Sequence, residues 1–391
     1  MTAARRVAVT GVGVLAACGV GRDDFWAGLL APQPTGERRI HAFDPTTLFD
    51  AKEIKRTDRF AQISLAAADE ALAQSGMPDV DPERAGVLFG TGVGGLETLE
   101  AQVVVRHEKG ARRVSPFLVP MMMANSAGAA LSMKYGYRGP CETTTTACAA
   151  STHAIGNAAR LITSGRCDAV LSGGAEASMT ETALAGFGNM TALSSTGVSR
   201  PFDAERDGFI MSEGAAVLVL EEWSAAERRG ATILAEVLGS ASNADAHHIT
   251  APSPGGAGAI ACMRLALEDA GLQAGDIAHI NAHGTSTPLN DAAEAEAIAA
   301  LFGAPGPAVT STKGVTGHAL GAAGALEAAA VVLAMQHGVI PPTDGTKAVD
   351  PALPSIDLVL HEPREWTPGP TLSNSFGFGG HNGTLVLAPP S

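Results

Sequence analysis

The chain has 391 residues, 46% hydrophobic and 17% charged, enough apolar material for a large core. A net charge of −14 argues against general nucleic-acid binding, and 4% aromatics leave no stacking platform for single strands. No uninterrupted apolar run reads as membrane-spanning, the start at Met1–Arg6 lacks an apolar signal region, and five cysteines show no CxxC or disulfide-like spacing, so a cytoplasmic protein is expected.

In chain order, Arg6–Thr10 reads as a buried strand ending in a glycine turn, Gly11-Val-Gly13. The next glycine is Gly19 and no acidic residue closes a second strand, so nucleotide binding is not expected there. A short helix at Asp24–Leu30 precedes a Pro-rich, irregular stretch over 31–50. Lys52, Lys55 and Arg56 form a basic cluster at the entry of a helix, Phe60–Gln74, with Phe60, Ile63, Ala67 and Ala71 on one face. A strand over Arg84–Gly90 runs into the glycine-rich 90–95, then a helix at Leu96–His107 and a second basic spot, Arg112-Arg113. Met121–Tyr135 reads as one apolar helix, its methionine run fitting either core or an adaptable apolar pocket.

Four threonines, 143–146, then lead to Cys148, followed by small residues and by Ile155, Ala158, Ala159 and Ile162 at helical spacing. This pattern predicts strand, sharp turn and buried helix. A thiol at that turn meets unpaired N–H groups and the positive helix end, both of which favour thiolate. A buried core cysteine is the bland alternative. Ala169–Glu176 reads as a strand whose Gly173-Gly174 begins a turn, and 199–209 as a polar loop. Strand Ala215–Glu221 and helix Ser224–Arg229 close this half. The second half opens with strand Ile233–Ser240 and an amphipathic helix, Ala257–Gly271, with Ile260, Met263, Leu265 and Leu267 as its apolar residues. Strand Ile277–Asn281 delivers His283 and the Thr285–Pro288 turn, before a helix at Asp291–Phe302. Strand Val309–Thr312 ends at Lys313 and His318, before an Ala-rich helix, Ala322–Gln336. Thr371–Ser375 leads to the glycine loop around Phe378, and Gly383–Ala388 is the last strand.

The two halves echo each other, because strand, Cys148 and Ala-rich helix parallel strand, Lys313 to His318 and Ala-rich helix. We expect an internal duplication, with residues 1–230 carrying the nucleophile and 231–391 the histidines, meeting across a pseudo-twofold axis. Cys148, His283, His318 and Phe378 all end strands in glycine-bounded turns, where layered α/β proteins place their sites. A thiolate with two histidines makes covalent acyl catalysis plausible. A Cys/His/His zinc site and a Cys–His–Asn amidase or protease are the rivals. The first lacks short-spaced ligand pairs, and the second leaves one histidine unexplained.

Four stretches, Thr143–Ser151, Asn281–Pro288, Ser311–Gly324 and Asn374–Gly380, together resemble the elongating β-ketoacyl-acyl-carrier-protein synthases. That family includes the type I/II condensing enzymes of fatty-acid synthesis and the ketosynthase subunits of type II polyketide systems. The resemblance runs nearly end to end. It implies an α/β thiolase fold, two duplicated halves in a five-layered α-β-α-β-α arrangement, normally dimeric. It implies that Cys148 accepts an acyl chain from carrier-protein phosphopantetheine, with the oxyanion between the N–H groups of Cys148 and Phe378. His283 and His318 would polarise malonyl carrier protein and assist decarboxylation, so no separate cofactor and no metal are needed. By the same resemblance Lys313 orders the His318 loop and pairs with Glu294, while Glu327 is structural. Thr285 and Thr287 would bind the pantetheine arm. Val93 and Phe187 would line the acyl pocket, and Phe378 would gate it. Asp245, His248 and Thr250 would form a second gating loop.

Lys52, Lys55, Arg56, Arg112 and Arg113 fall where relatives dock the acidic carrier protein, which would explain how an acidic chain attracts an acidic partner. The resemblance leaves a homodimer or a heterodimer with a chain-length-factor-like subunit open. Three departures suggest a specialised substrate or partner, of polyketide or polyene kind: a short 31–59 stretch, the bulk of Met121–Met123, and His381 in place of a common threonine. A noncatalytic chain-length partner is disfavoured by the presence of Cys148, His283 and His318. A degradative thiolase is disfavoured because no cysteine follows Cys262. A chain-initiating Cys–His–Asn synthase is disfavoured by the second histidine.

Overall fold

In the computed structural model, which describes residues 5–391, twelve strands form one continuous sheet, and Val339–Ile340 pairs with Arg364–Glu365 apart from it. Its first five long strands are Val7–Ala16, Ala85–Gly90, Cys141–Thr144, Ala169–Glu176 and Gly214–Glu222. Across the sheet these lie in the order third, second, fourth, fifth, first. The strands Ala235–Ala244, His279–Asn281, Ala308–Thr310, Thr371–Gly377 and His381–Ala388 repeat that order, extended by the two-residue strand Asp357–Leu358 at the edge. In both sets the second, third and fourth strands run parallel and the fifth antiparallel to the fourth. The two first strands meet at the centre through only two registered pairs, Ala8 with Glu236 and Val9 with Ala235. The duplication expected from sequence is therefore present strand for strand.

Five layers follow from which face of each strand is apolar. Along Gly214–Glu222, Ala216, Leu218 and Leu220 join the central core, while Ala215, Val217 and Val219 join an outer one. That is the period of two expected for a strand covered on both faces. The helices Ala150–Thr163 and Ala323–His337 fill the middle layer. Arg59–Ser75 and Ser126–Tyr135 cover one outer face, and Ala257–Ala270 with Pro288–Phe302 the other. The middle layer is Ala-rich because a helix sandwiched between the two halves of the sheet is apolar all round. Every residue from Ala323 to Met335 is buried. The segment Leu320–His337 is apolar enough to resemble a membrane span, yet 89% of it is buried inside the protein.

Four sequence expectations are corrected. Gly11 and Gly13 lie inside the first strand and form no turn. The helix Arg59–Ser75 crosses them so closely that a Cβ would stand 2.2 Å from Ala71 O at Gly11 and 1.8 Å from Ala67 O at Gly13. Gly173-Gly174 likewise continues its strand, pressed against Ala216 and Ser151. Residues 118–135 make two helices, Leu118–Met122 and Ser126–Tyr135, because the Met122 carbonyl accepts the Gly95 N–H at 3.2 Å. Met123 is exposed in the break between them and Met121 and Met122 are only half-buried, so the run is not core. On Ala257–Ala270 the buried face is Ala259, Cys262, Met263, Ala266 and Leu267, with Leu265 turned to solvent.

Candidate active site

The duplicated sheet brings equivalent strand ends together at the middle layer. Cys148 follows the third strand of the first set, in the tight turn Ala147–Ala149 that opens the helix Ala150–Thr163. Ala147 is left-handed there, φ 49°, a strained setting for a residue with a Cβ. His318 occupies the equivalent place after the third strand of the second set, and His283 follows the second strand. Phe378 follows the fourth, in the turn Phe378–Gly380.

These side chains converge. His318 Nε2 lies 3.1 Å from Cys148 Sγ. The two imidazoles stand edge to face with ring centroids 5.4 Å apart. Both histidines and Cys148 are buried. The His318 backbone is pinned on both sides. Its N–H donates to Ile210 O at 2.7 Å, and its carbonyl accepts from Ser212 N–H at 3.1 Å. Lys313 Nζ donates to His283 O at 2.6 Å, stands 3.3 Å from His283 Nδ1, and contacts Glu327. An ammonium can only donate, so His283 Nδ1 is the acceptor and its proton sits on Nε2, facing the cavity. Glu294 accepts the backbone N–H groups of His283 and Gly284, both at 2.8 Å, and so fixes the turn that carries His283.

The charge states follow from burial. Burial pushes the Cys148 thiol up to about 11, opposed by the Phe378 N–H and the Lys313 charge. Desolvation of the sulfur thus runs against the helix-terminal thiolate expected from sequence and outweighs the donors around it. Burial, reinforced by Lys313, holds both imidazoles well below their usual range. His318 Nδ1 is buried with no partner among the described residues, so no carboxylate or amide of theirs stands behind it to support an imidazolium. The resting pair is a neutral thiol on a neutral imidazole. That differs from the Cys–His–Asn arrangement, in which a third group orients the base. The nearest ligand atoms of Cys148, His283 and His318 lie within 4.8 Å of one another, a spacing that could suit zinc. The Lys313 ammonium at His283 disfavours a dication there, and the fit is better explained by the hydrogen bond.

A cavity of about 410 Å³ opens over the sulfur, lined among others by Val93, Phe187, Phe209, Leu320, Phe376 and Phe378. Thr285, Thr287, Asp245 and Thr250 also line it, and the two threonine hydroxyls are 2.9 Å apart. His248 does not reach it. Its Nδ1 accepts N–H groups of Thr250 and Ala251 and so shapes its own exposed loop. Lys313 pairs with Glu327 and not with Glu294, which corrects the expected pairing. Glu327 projects from the middle helix beside Lys313, whereas Glu294 is occupied by the two backbone amides. Sequence reasoning missed Phe209, whose ring lies 5.1 Å from that of His318, and Leu320, since neither belongs to a periodic pattern. It also missed Glu176, a buried acid ending an apolar strand, which was a visible signal.

The basic residues lie elsewhere. Lys52, Lys55, Arg56, Arg112 and Arg113 are exposed. Arg56 stacks 4.5 Å over the Phe117 ring, and Lys55 shares a surface cavity with Ser115, so the 52–56 and 115–117 segments meet.

The family models described as "Beta-ketoacyl synthase, N-terminal domain" and "Beta-ketoacyl synthase, C-terminal domain" match residues 34–226 and 234–347. A Synechocystis protein named 3-oxoacyl-[acyl-carrier-protein] synthase 2 is 42% identical over 409 residues, covering 98% of both chains. Among solved structures, the ishigamide ketosynthase/chain length factor superposes with a TM-score of 0.93 at 33% identity, covering 100% of both chains. A type II PKS acyl-carrier protein in complex with its ketosynthase bound to the hexaketide gives a TM-score of 0.90 at 29% identity, with 99% of this chain and 100% of that one covered.

Proposed function

The chain belongs to the β-ketoacyl synthase family, and from that premise we propose how its residues divide the work of decarboxylative Claisen condensation. The observation that carries the assignment is Cys148 Sγ at 3.1 Å from His318 Nε2, beside a His283 whose tautomer Lys313 fixes. Cys148 Sγ attacks the acyl thioester of a carrier protein. His318 takes the thiol proton at Nε2 and passes it to the departing pantetheine sulfur. The oxyanion forms against the N–H groups of Cys148 and Phe378, which already point at the sulfur. Malonyl carrier protein then enters. Its carboxylate leaves as CO₂, and the bonding electrons collect on the thioester carbonyl oxygen, held by His283 Nε2–H. The enolate carbon attacks the acyl-Cys148 carbonyl, the C–S bond breaks, and one proton from solvent restores the thiol. No electron is gained or lost, so the phosphopantetheine arm on the carrier protein supplies the chemistry's handle and no separate cofactor is required.

Thr285 and Thr287 hold the arm. Val93 and Phe187 wall the acyl chain, and Phe378 swings as a gate on Gly379 and Gly380, both left-handed. Glu294 and Glu327 support the two histidine loops. Of the gating-loop residues, Asp245 and Thr250 face the cavity, and Gly379 N–H donates to Ile249 O at 2.7 Å, which ties that loop to the gate. The carrier protein docks on Lys52, Lys55, Arg56, Arg112 and Arg113. The chain works as a dimer in the cytoplasm, as a homodimer or with a chain-length-factor-like partner. In support, Cys141–Thr144 is a sheet edge with Cys141 and Glu142 exposed, and Met123 and Met133 are exposed nearby. The functional boundary between the halves falls after residue 230, in the short link before Ala235. A type II polyketide or polyene substrate is favoured over housekeeping fatty-acid elongation by Met121–Met123 and the short 31–59 stretch.

The test separates the two half-reactions. His283→Ala is expected to load acyl groups on Cys148 yet release no CO₂ from malonyl carrier protein. Undiminished CO₂ release by that variant refutes the assignment.

A further inference from the structure

Glu176 ends an apolar strand inside the protein, wholly buried, and pairs with no cation among the described residues. Its carboxylate is nonetheless fully engaged. Oε2 accepts the N–H of Gly92 at 2.6 Å and of Gly321 at 3.1 Å. Oε1 accepts the hydroxyls of Ser178 at 2.6 Å and Thr91 at 3.3 Å. Those two amides come from two segments that line the cavity side by side, Gly92 preceding Val93 and Gly321 following Leu320. The two backbones touch. A Cβ on Gly321 would stand 2.1 Å from Gly92 N, and one on Gly92 2.7 Å from Glu176 Oε2. Leu320 itself lines the cavity with a left-handed backbone, φ 44°, which an L-residue keeps only where its surroundings over-determine it.

We propose that Glu176 is the positioning residue that fixes the Val93 and Leu320 segments against each other in the lining of the acyl pocket and thereby sets which acyl chain lengths Cys148 accepts. The proposal rests on the ketosynthase reading above and adds a determinant of its substrate class. One carboxylate oxygen gathers the two amides, so the wall between residues 92 and 321 is held at a fixed spacing. Without it both N–H groups are left buried and unpaired, and Leu320 can relax out of its strained conformation. The pocket then loses its sharp limit. Glutamine keeps the clamp. Its amide oxygen accepts from Gly92 and Gly321, and its amide nitrogen faces the Ser178 and Thr91 hydroxyls, which can accept.

The experiment compares wild type, Glu176→Ala and Glu176→Gln on an equimolar mixture of short-, medium- and long-chain acyl carrier proteins. Intact mass reads the chain carried on Cys148. Wild type is expected to favour one length, Glu176→Gln to keep that ratio within about twofold, and Glu176→Ala to flatten it by about tenfold. A ratio unchanged in Glu176→Ala, whatever the total loaded, overturns the proposal, because a purely structural role lowers the amount without altering selection. Glutamine behaving like alanine overturns it as well. Failure of the ketosynthase reading is distinguishable, since wild type would then carry no acyl group at all.

Discussion

The resting state of Cys148 decides how the reaction starts, and it can be perturbed by pH alone. Burial raises the thiol from 9.0 to about 11. That shift works against the thiolate, so only about one molecule in a thousand is ionised near pH 8. Because the folded-state value is raised, the thiolate population rises throughout the alkaline range and does not saturate near neutrality. The rate of iodoacetamide alkylation at Cys148, followed by intact mass in a Cys141→Ser background to remove the exposed thiol, is expected to climb about tenfold per unit between about pH 7 and about pH 10. His318→Ala should leave that slope in place, since neutral His318 supplies no charge at rest. A rate that levels off by about pH 7 would refute the reasoning. It would mean that the N–H groups at the start of Ala150–Thr163 outweigh desolvation and that a thiolate is held at rest.

Other consequences are testable together. Lys313→Met strands Glu327 as an unpaired buried carboxylate and should cost about 3 to 5 kcal/mol in chemical denaturation. The double variant Lys313→Met/Glu327→Leu should recover most of that stability but not condensation, because His283 Nδ1 has lost its donor. Recovery of activity would contradict the tautomer argument. Gly13→Ala drives a methyl into Ala67 O and should destabilise the fold by at least about 1 to 3 kcal/mol, read as a lowered denaturation midpoint. Reversing the charges of Arg112 and Arg113 should raise KM for carrier-protein substrates, more at low salt than at high, while leaving small thioester substrates unaffected. An unchanged KM removes those residues from the docking surface.

The order of elements and the convergence of Cys148, His283 and His318 were legible because each residue ends a strand in a glycine-bounded turn and the two halves share one pattern. What local pattern could not carry was close approach. Gly11, Gly13, Gly173 and Gly174 look like turns, yet they are strand positions where a helix or a neighbouring strand leaves no room for a Cβ. The methionine helix was split for a related reason, a long-range hydrogen bond from Gly95 that takes the Met122 carbonyl. Partner choice among buried charges was equally hidden. Glu294 and Glu327 lie on different helices, and only the three-dimensional arrangement puts Glu327 at Lys313. The opposing pull on the thiol was hidden because a sequence displays the helix end but not the depth of burial.

The central claim is that Cys148 carries the acyl chain through condensation. Its most direct test is the intact mass of wild type and Cys148→Ala after incubation with acyl carrier proteins, then with malonyl carrier protein. Wild type alone should gain an acyl adduct and discharge it as a β-ketoacyl product two carbons longer. An adduct that persists on Cys148→Ala would place the nucleophile elsewhere and contradict the account.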